Sequence, residues 1–290
     1  MKVCGFTFVR NGIRFDYPVV ESILSILPIC DSFVVAVGNS DDDTLQLIRN
    51  LKSPKIRIIE TIWDDTLREG GRVLAVETDK AFQSIEGEYD WAFYLQADEV
   101  VHERSLPAIK KAMEVNLTND QVEGLLFNYF HFYGSYDYVG QAYSWCRREV
   151  RVIRNWKDIF SYRDAQGFRK KPNEKLKVKL IDEDIYHYSW VREPKALQAK
   201  LETFHRFWHD DQWIEKTMIK AEEFDYGDTE ELALFRGTHP AVMKERIARQ
   251  SWEYTHDLSR KPSSAKYRFK KWVEGLTGWR VGEYRNYKIV

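Results

Sequence analysis

Between Val3 and Leu95 the sequence alternates short apolar runs with stretches whose apolar residues recur every three or four positions. This alternation limits the possible folds more than any other feature. Val3 to Val9 is an apolar run of strand length. Asp16 to Leu27 carries Val19, Val20, Ile23, Ile26 and Leu27 at helical spacing, with Pro18 in a first turn that tolerates it. Phe33 to Val37 predicts a second strand. Thr44 to Leu51 predicts a helix after the polar turn Ser40-Asp41-Asp42-Asp43. Ile56 to Ile59 is a third strand, Arg72 to Ile85 a helix with Val73, Val76 and Ala81 inward, and Trp91 to Leu95 a fourth strand. The predicted class is α/β, a mainly parallel sheet with helices on both faces.

The pattern changes after about residue 120. Leu125 to Phe132, Val150 to Ile153 and Leu176 to Leu180 read as strands. Pro194 opens a helix with Leu197, Leu201, Phe204 and Trp208 on one stripe, and the chain from there to about Arg260 reads as mostly helical. Pro262-Ser263-Ser264 marks a break before a basic end. With 290 residues there is length for about two domains, divided here as 1–195 and a helical 196–290. No internal repeat or low-complexity tract occurs.

Apolar residues at 43% and charged residues at 31% describe a globular chain. The net charge of −1 gives no support to nucleic-acid binding. It conceals an asymmetry: Arg260 to Val290 holds nine Lys or Arg and two Asp or Glu. Three cysteines, Cys4, Cys30 and Cys146, without a CxxC pair exclude a zinc ribbon and a disulfide scaffold. The start shows no signal-peptide pattern, and no apolar run approaches the roughly 18 residues of a membrane span. The expected location is cytoplasmic.

The segment Trp91-Ala92-Phe93-Tyr94-Leu95-Gln96-Ala97-Asp98-Glu99-Val100 delivers carboxylates at the end of an apolar strand. In open α/β sheets ligands sit beyond those strand ends. A carboxylate there suits Mg²⁺ or Mn²⁺, which share oxygen ligands with a substrate diphosphate. The plain alternative is a solvated loop after a buried strand.

Taken with other stretches, this segment resembles the GT-A glycosyltransferases, especially the inverting family 2, over roughly residues 1 to 195. Tyr94-Leu95-Gln96-Ala97-Asp98-Glu99 is similar to the family's apolar run ending in Asp-x-Asp. Phe8-Val9-Arg10-Asn11 with Glu21-Ser22-Ile23 resembles its first strand and helix. Val35 to Thr44 resembles its acidic turn after strand two, and Ile185 to Arg192 a segment near the end of the catalytic domain. The resemblance implies a Rossmann-like GT-A catalytic domain, transfer of a sugar from a nucleotide-sugar donor to a hydroxyl acceptor, and a role in bacterial surface glycans. It further implies lipid-linked acceptors at the inner membrane face. Gln96 stands where the family has its first motif Asp, so Asp98 is left as the main metal carboxylate.

Such a transfer needs the leaving diphosphate neutralised, by a metal acting as a Lewis acid, and a base for the acceptor hydroxyl. The resemblance implies Asp98 as ligand of Mn²⁺ or Mg²⁺, with His187 as second ligand or diphosphate contact. Asn11, Asp42, Arg72, Gln96, Arg192 and His239 are candidate substrate contacts. For the base, Asp164 comes first, in a polar loop with a glycine, and Glu99 next, with Glu149 a further possibility. His205 and His209, four apart, read better as a packed helix end than as a zinc pair, for there is no His-Glu-x-x-His. Two other readings stay in view: a catalytically weakened carbohydrate- or nucleotide-binding relative, and a sugar-phosphate nucleotidyltransferase. The latter would need a Gly-rich phosphate loop that Phe8 to Gly12 does not supply. The basic, aromatic end at 261–290 mixes cations with rings, as a segment lying on an anionic membrane would.

Overall fold

The computed structural model describes residues 1–217, 221–227, 231–259 and 264–290, so Arg260, Pro262 and Ser263 of the expected break lie outside the described residues. The strands are β1 (Val3–Val9), β2 (Ser32–Gly38), β3 (Ile56–Thr61), β4 (Trp91–Tyr94), β5 (Glu99–Val101), β6 (Gly124–Tyr133), β7 (Tyr138–Gly140), β8 (Arg148–Arg154), β9 (Ile159–Tyr162), β10 (Gly167–Lys170), β11 (Glu174–Trp190), β12 (Leu232–Leu234) and β13 (Tyr287–Ile289). The helices are α1 (Val19–Ile26), α2 (Thr44–Arg49), α3 (Arg72–Gln83), α4 (Leu106–Val115), α5 (Pro194–His205), α6 (Asp211–Thr217), α7 (Lys244–Ala248) and α8 (Ala265–Thr277).

The main sheet runs β3-β2-β1-β4-β8-β6-β11-β10-β9. Its first four strands are parallel, joined by crossover helices as predicted. Beyond β4 the sheet is mixed: β8 is antiparallel to β4 and β6, β6 is parallel to β11, and β10 is antiparallel to β11 and β9. The expectation of a mainly parallel sheet therefore holds for the first half alone.

Alternation along each strand builds two cores. Val3, Val9, Phe33, Val35, Val37, Trp91 and Phe93 face α1, α2 and α4, against Ile23, Ile26, Ile48, Ile109 and Met113. Cys4, Phe6, Val34, Ala36, Ala92 and Tyr94 face the other way, against Ala81, Phe82 and Ile85 and the β9–β10 hairpin through Ile159 and Phe168. Both faces of the central strands are dry, which explains why their sequences read as unbroken apolar runs.

Two expectations change. The third predicted strand of the second half, Leu176 to Leu180, is the start of the 17-residue β11. The charges of Asp182, Glu183 and Asp184 mask its continuation, and its register on β6 shifts between Leu180 and Asp184. Residues 196–290 are also less helical than expected. From 221 to 259 the described chain is mostly irregular, with β12, a short 3₁₀ turn and α7. A short antiparallel ladder between β12 and β7 attaches it, and rings add to the seam: Phe224, Tyr226, Trp252 and Tyr254 pack on Tyr133 and Trp190.

The strand order 3-2-1-4 has one further consequence. The chain moves outward from β1 through β2 and β3, then returns to place β4 on the other side of β1. The β1/β4 boundary is a topological switch point, where crossover loops part and leave a crevice at the strands' carboxyl ends.

Candidate active site

A cavity of about 180 Å³ opens at that switch point. Phe8, Val9, Arg10 and Asn11 from the end of β1 and Gln96, Ala97 and Asp98 from the end of β4 form its base. Trp63, Leu74, Phe204, Phe207 and Trp208 wall it, and Asp164, His187, Ser189 and Lys200 close the sides. A neighbouring cleft of about 330 Å³ shares Arg10, Asn11, Thr203 and Phe207 and adds Arg14, Arg68 and Arg206.

Asp98 is the electrostatic centre. It is 5% exposed. Its Oδ2 accepts hydrogen bonds from Arg192 at 3.1 Å and Lys200 at 3.3 Å, while Oδ1 lies 3.5 Å from His187 Nε2. Burial opposes its charge, but Lys200, His187 and Arg192 together hold the carboxyl well below the usual range. Burial, with Arg192 beside it, pushes the Lys200 ammonium down to about 7. Lys200 also donates to Ser189 Oγ at 3.0 Å.

The histidine pair has a defined proton order. His131 Nε2 meets the carbonyl of Cys146, which can only accept, so that nitrogen carries the proton. Burial pushes the His131 imidazole down to about 3, so it is neutral and its Nδ1 accepts. His187 Nδ1, 2.9 Å away, therefore donates. The other nitrogen of His187, Nε2, is left facing Asp98 Oδ1 at 3.5 Å, beyond good hydrogen-bond length.

Those residues fit a divalent cation. An imidazole nitrogen and a carboxylate oxygen face one another across a gap, the imidazole's second N–H is anchored, and the carboxylate's second oxygen is hydrogen-bonded. Among the described residues no group of three or more His, Cys, Asp and Glu side chains could hold a metal ion, so further ligands would come from substrate oxygens and water.

Asp164 occupies the β9–β10 turn. Its neighbours Arg163 and Ala165 have φ of 56° and 63°, a region where a side chain is strained. Burial raises its carboxyl above the usual range. Gln96 Nε2 donates to the Ala165 carbonyl at 3.2 Å and so ties this turn to β4. Gly71 lets the chain before α3 approach: a Cβ there would come within 2.7 Å of Asp164 Cβ and 2.6 Å of the Trp208 ring.

The other expected site residues lie elsewhere or act differently. Glu99 is 0% exposed and points away from the cavity, in a two-pronged pair with Arg151 at 2.7 Å for each bond, and Tyr129 donates to it at 2.9 Å. With all its oxygens engaged and no access, it does not suit a base. Glu149 is also enclosed, accepting from Cys146 Sγ, and burial pushes it up to about 7. Arg192 is fully buried below Asp98, donating to the Phe15 carbonyl at 2.6 Å and stacked on Tyr17, so it does not reach a phosphate in the cavity. Asn11 lines the cavity while its Oδ1 accepts from the Asp41 N–H at 2.7 Å. Asp42 binds the backbone N–H groups of Arg14 and Thr44 and braces the β2–α2 turn outside the cavity. Arg72 is exposed at the start of α3 and lines neither space. His239 lies among Phe132, Tyr188 and Phe235, accepting from the Tyr188 hydroxyl at 2.9 Å. His209 stacks on Trp213, as a packed helix end would.

Sequence reasoning missed Lys200 and His131. Lys200 carried a signal: it falls between Leu197 and Phe204 on the apolar stripe of α5, where a cation needs a buried partner. Helix α5 is set across the cavity by Pro194 in its first turn and by Glu193, whose side chain accepts from the Ala196 N–H at 3.0 Å.

No protein-family model matches the sequence, and no curated protein does. Among solved structures the chain is similar to TarS 1–349 from S. aureus, at 13% identity and a TM-score of 0.41. The match covers 70% of this chain and spans 64% of that one, with the same values for TarS in complex with UDP. It is similar to 4-diphosphocytidyl-2C-methyl-D-erythritol synthase from Anaerococcus prevotii at 9% identity and a TM-score of 0.35, over 53% of this chain and 70% of that one. A third likeness is to glucosyl-3-phosphoglycerate synthase from Mycobacterium tuberculosis in complex with Mn²⁺, UDP and glucosyl-3-phosphoglycerate. Its identity is 19% and its TM-score 0.30, over 45% of this chain and 44% of that one. At such scores the functional reading rests on the residues themselves.

Proposed function

We propose that the chain is a GT-A-type glycosyltransferase that moves a sugar from a nucleoside-diphosphate sugar to a hydroxyl of a glycan or lipid-linked acceptor, with inversion. The carrying observation is one cavity at the switch point that gathers a partly desolvated carboxylate, Asp164, with the Asp98–His187–Lys200 cluster. Charge separation of this kind suits a reaction that removes a proton on one side and expels an anion on the other.

Asp164 takes the proton of the acceptor hydroxyl. Its raised carboxyl favours that task, because a base works best when its affinity for protons approaches the working pH. Lys200 and Arg10 face the departing diphosphate as donors. Gln96 holds the Asp164 turn through its amide N–H, a bond that the carboxylate of the Asp-x-Asp pattern could not donate. Trp63, Phe207 and Trp208 exclude water and offer flat faces to a sugar or base. Asp98 and His187 would hold Mn²⁺ or Mg²⁺, which when bound neutralises charge on the leaving diphosphate as a Lewis acid.

Turnover of a panel of nucleotide sugars tests the reading. Asp164→Asn is expected to lower turnover by about 100-fold or more while nucleoside-diphosphate affinity stays within about threefold. Full activity in that variant would remove Asp164 from the chemistry. Nucleotide binding without any turnover by the unaltered protein would favour a binding relative.

A further inference from the structure

Helix α8 is docked the wrong way round for a helix that merely closes a fold. An amphipathic helix ordinarily buries its apolar stripe and hydrates its polar one. Here the polar side grips the body. Tyr267 donates to Glu231 at 2.8 Å, Lys271 to the Gln141 carbonyl at 2.5 Å, and Glu274 pairs with Arg147 and Arg280 at 3.6 Å each. The Tyr143 ring meets Tyr267 edge-on at 5.4 Å.

The apolar side faces outward. Phe269 is 62% exposed, Trp272 62% and Leu276 66%, spaced three and four apart on one stripe, and Trp279 just past the helix is 56% exposed. Phe269 and Trp272 stack on each other at 6.0 Å. At about 100° per residue, the exposed Lys266 and Arg268 flank that stripe on opposite sides. Gly278, with φ of 67°, ends the helix.

We propose that this face is an interfacial anchor that lies on an anionic lipid surface, with the rings and Leu276 in the acyl boundary and Lys266 and Arg268 at the headgroups. Charge selects this occupant: the segment from Arg260 to Val290 carries an excess of seven positive charges on a chain of net charge −1. Anionic lipid attracts such a segment, whereas a second copy would bring the same excess against it. The helix, 13 residues and so about 20 Å long, is too short to cross a bilayer and suited to lying in its plane. Among the described residues no helix is long and apolar enough to span a membrane. The inference does not depend on the transfer reading.

Sedimentation of the full chain with vesicles tests it, using phosphatidylcholine alone and phosphatidylcholine mixed with phosphatidylglycerol. Two variants are compared: Phe269→Ser with Trp272→Ser and Leu276→Ser, and Lys266→Glu with Arg268→Glu. Binding is expected to the mixed vesicles, to weaken with salt, and to fall by more than about tenfold in each variant. Thermal unfolding is expected to stay the same, since the altered side chains touch little of the body. Absence of binding to mixed vesicles, or equal binding by the apolar variant, would overturn the proposal. So would self-association that the apolar variant abolishes while vesicles leave the protein unbound.

Discussion

Asp98 and Glu99 are adjacent carboxylates with opposite fates. A turn closed by the Glu99 N–H on the Gln96 carbonyl at 3.0 Å separates β4 from β5; Asp98, within it, lines the cavity, while Glu99, which opens β5, is buried in the core. Glu99 then needs a buried partner, and Arg151, itself held between Tyr94 and Tyr129, supplies it. Glu99→Gln is expected to strip the charge partner from a buried guanidinium and to destabilise the fold by about 3 kcal/mol in urea unfolding. A catalytic Glu99 would instead lose activity with stability unchanged. Asp98, Asn11 and the Asp164 loop, which line the cavity, were legible in the sequence as candidates because strand ends and polar turns are where side chains meet ligands. The split between Asp98 and Glu99 was not, since a motif written along the chain does not say which face each residue takes. Arg192 shows the same limit: a cation near the site reads as a phosphate contact until its bonds to Asp98 and Phe15 are seen.

At the level of elements, the four parallel strands and their helices were readable because both faces of each strand are buried. The hairpin β9–β10 was not, because its strands have four residues each and its turn is charged. It nevertheless carries Asp164, and α3 holds it: Asp79 accepts from the Ser161 N–H at 2.7 Å. Burial pushes the Asp79 carboxyl from its ordinary 3.8 up to about 6. A folded-state pKa above the unfolded one means that folding takes up a proton in that window. Stability therefore falls as pH rises from about 4 to about 6, and the cost persists above it. Asp79→Asn keeps an acceptor for Ser161 and removes the charge. It is expected to raise stability near neutral pH by up to about 3 kcal/mol and to leave it unchanged below about pH 4, as read by chemical unfolding across pH. A parallel loss at every pH would mean that the carboxylate itself holds the hairpin.

Across the whole molecule, the strand order 3-2-1-4 makes the crevice, and the second half of the chain completes it. β11 brings His187 and Ser189, α5 brings Lys200 and the aromatic wall, and the β9–β10 turn brings Asp164. The division at residue 195 therefore does not separate site from surroundings: Lys200, Thr203, Phe204, Phe207 and Trp208 come from beyond it. The sequence could not show this, because contacts between α5 and the turn after β4 join residues about a hundred positions apart, as Asp98 and Lys200 are. The central claim is that this shared cavity binds the diphosphate of a nucleotide donor. Calorimetric titration with UDP, GDP and CDP, in Mn²⁺ and then in excess chelator, tests it most directly. One diphosphate is expected to bind in Mn²⁺, to weaken by about tenfold or more in chelator, and to weaken similarly in Lys200→Met. Failure of all three nucleotides to bind, or binding indifferent to Lys200→Met, would contradict the account.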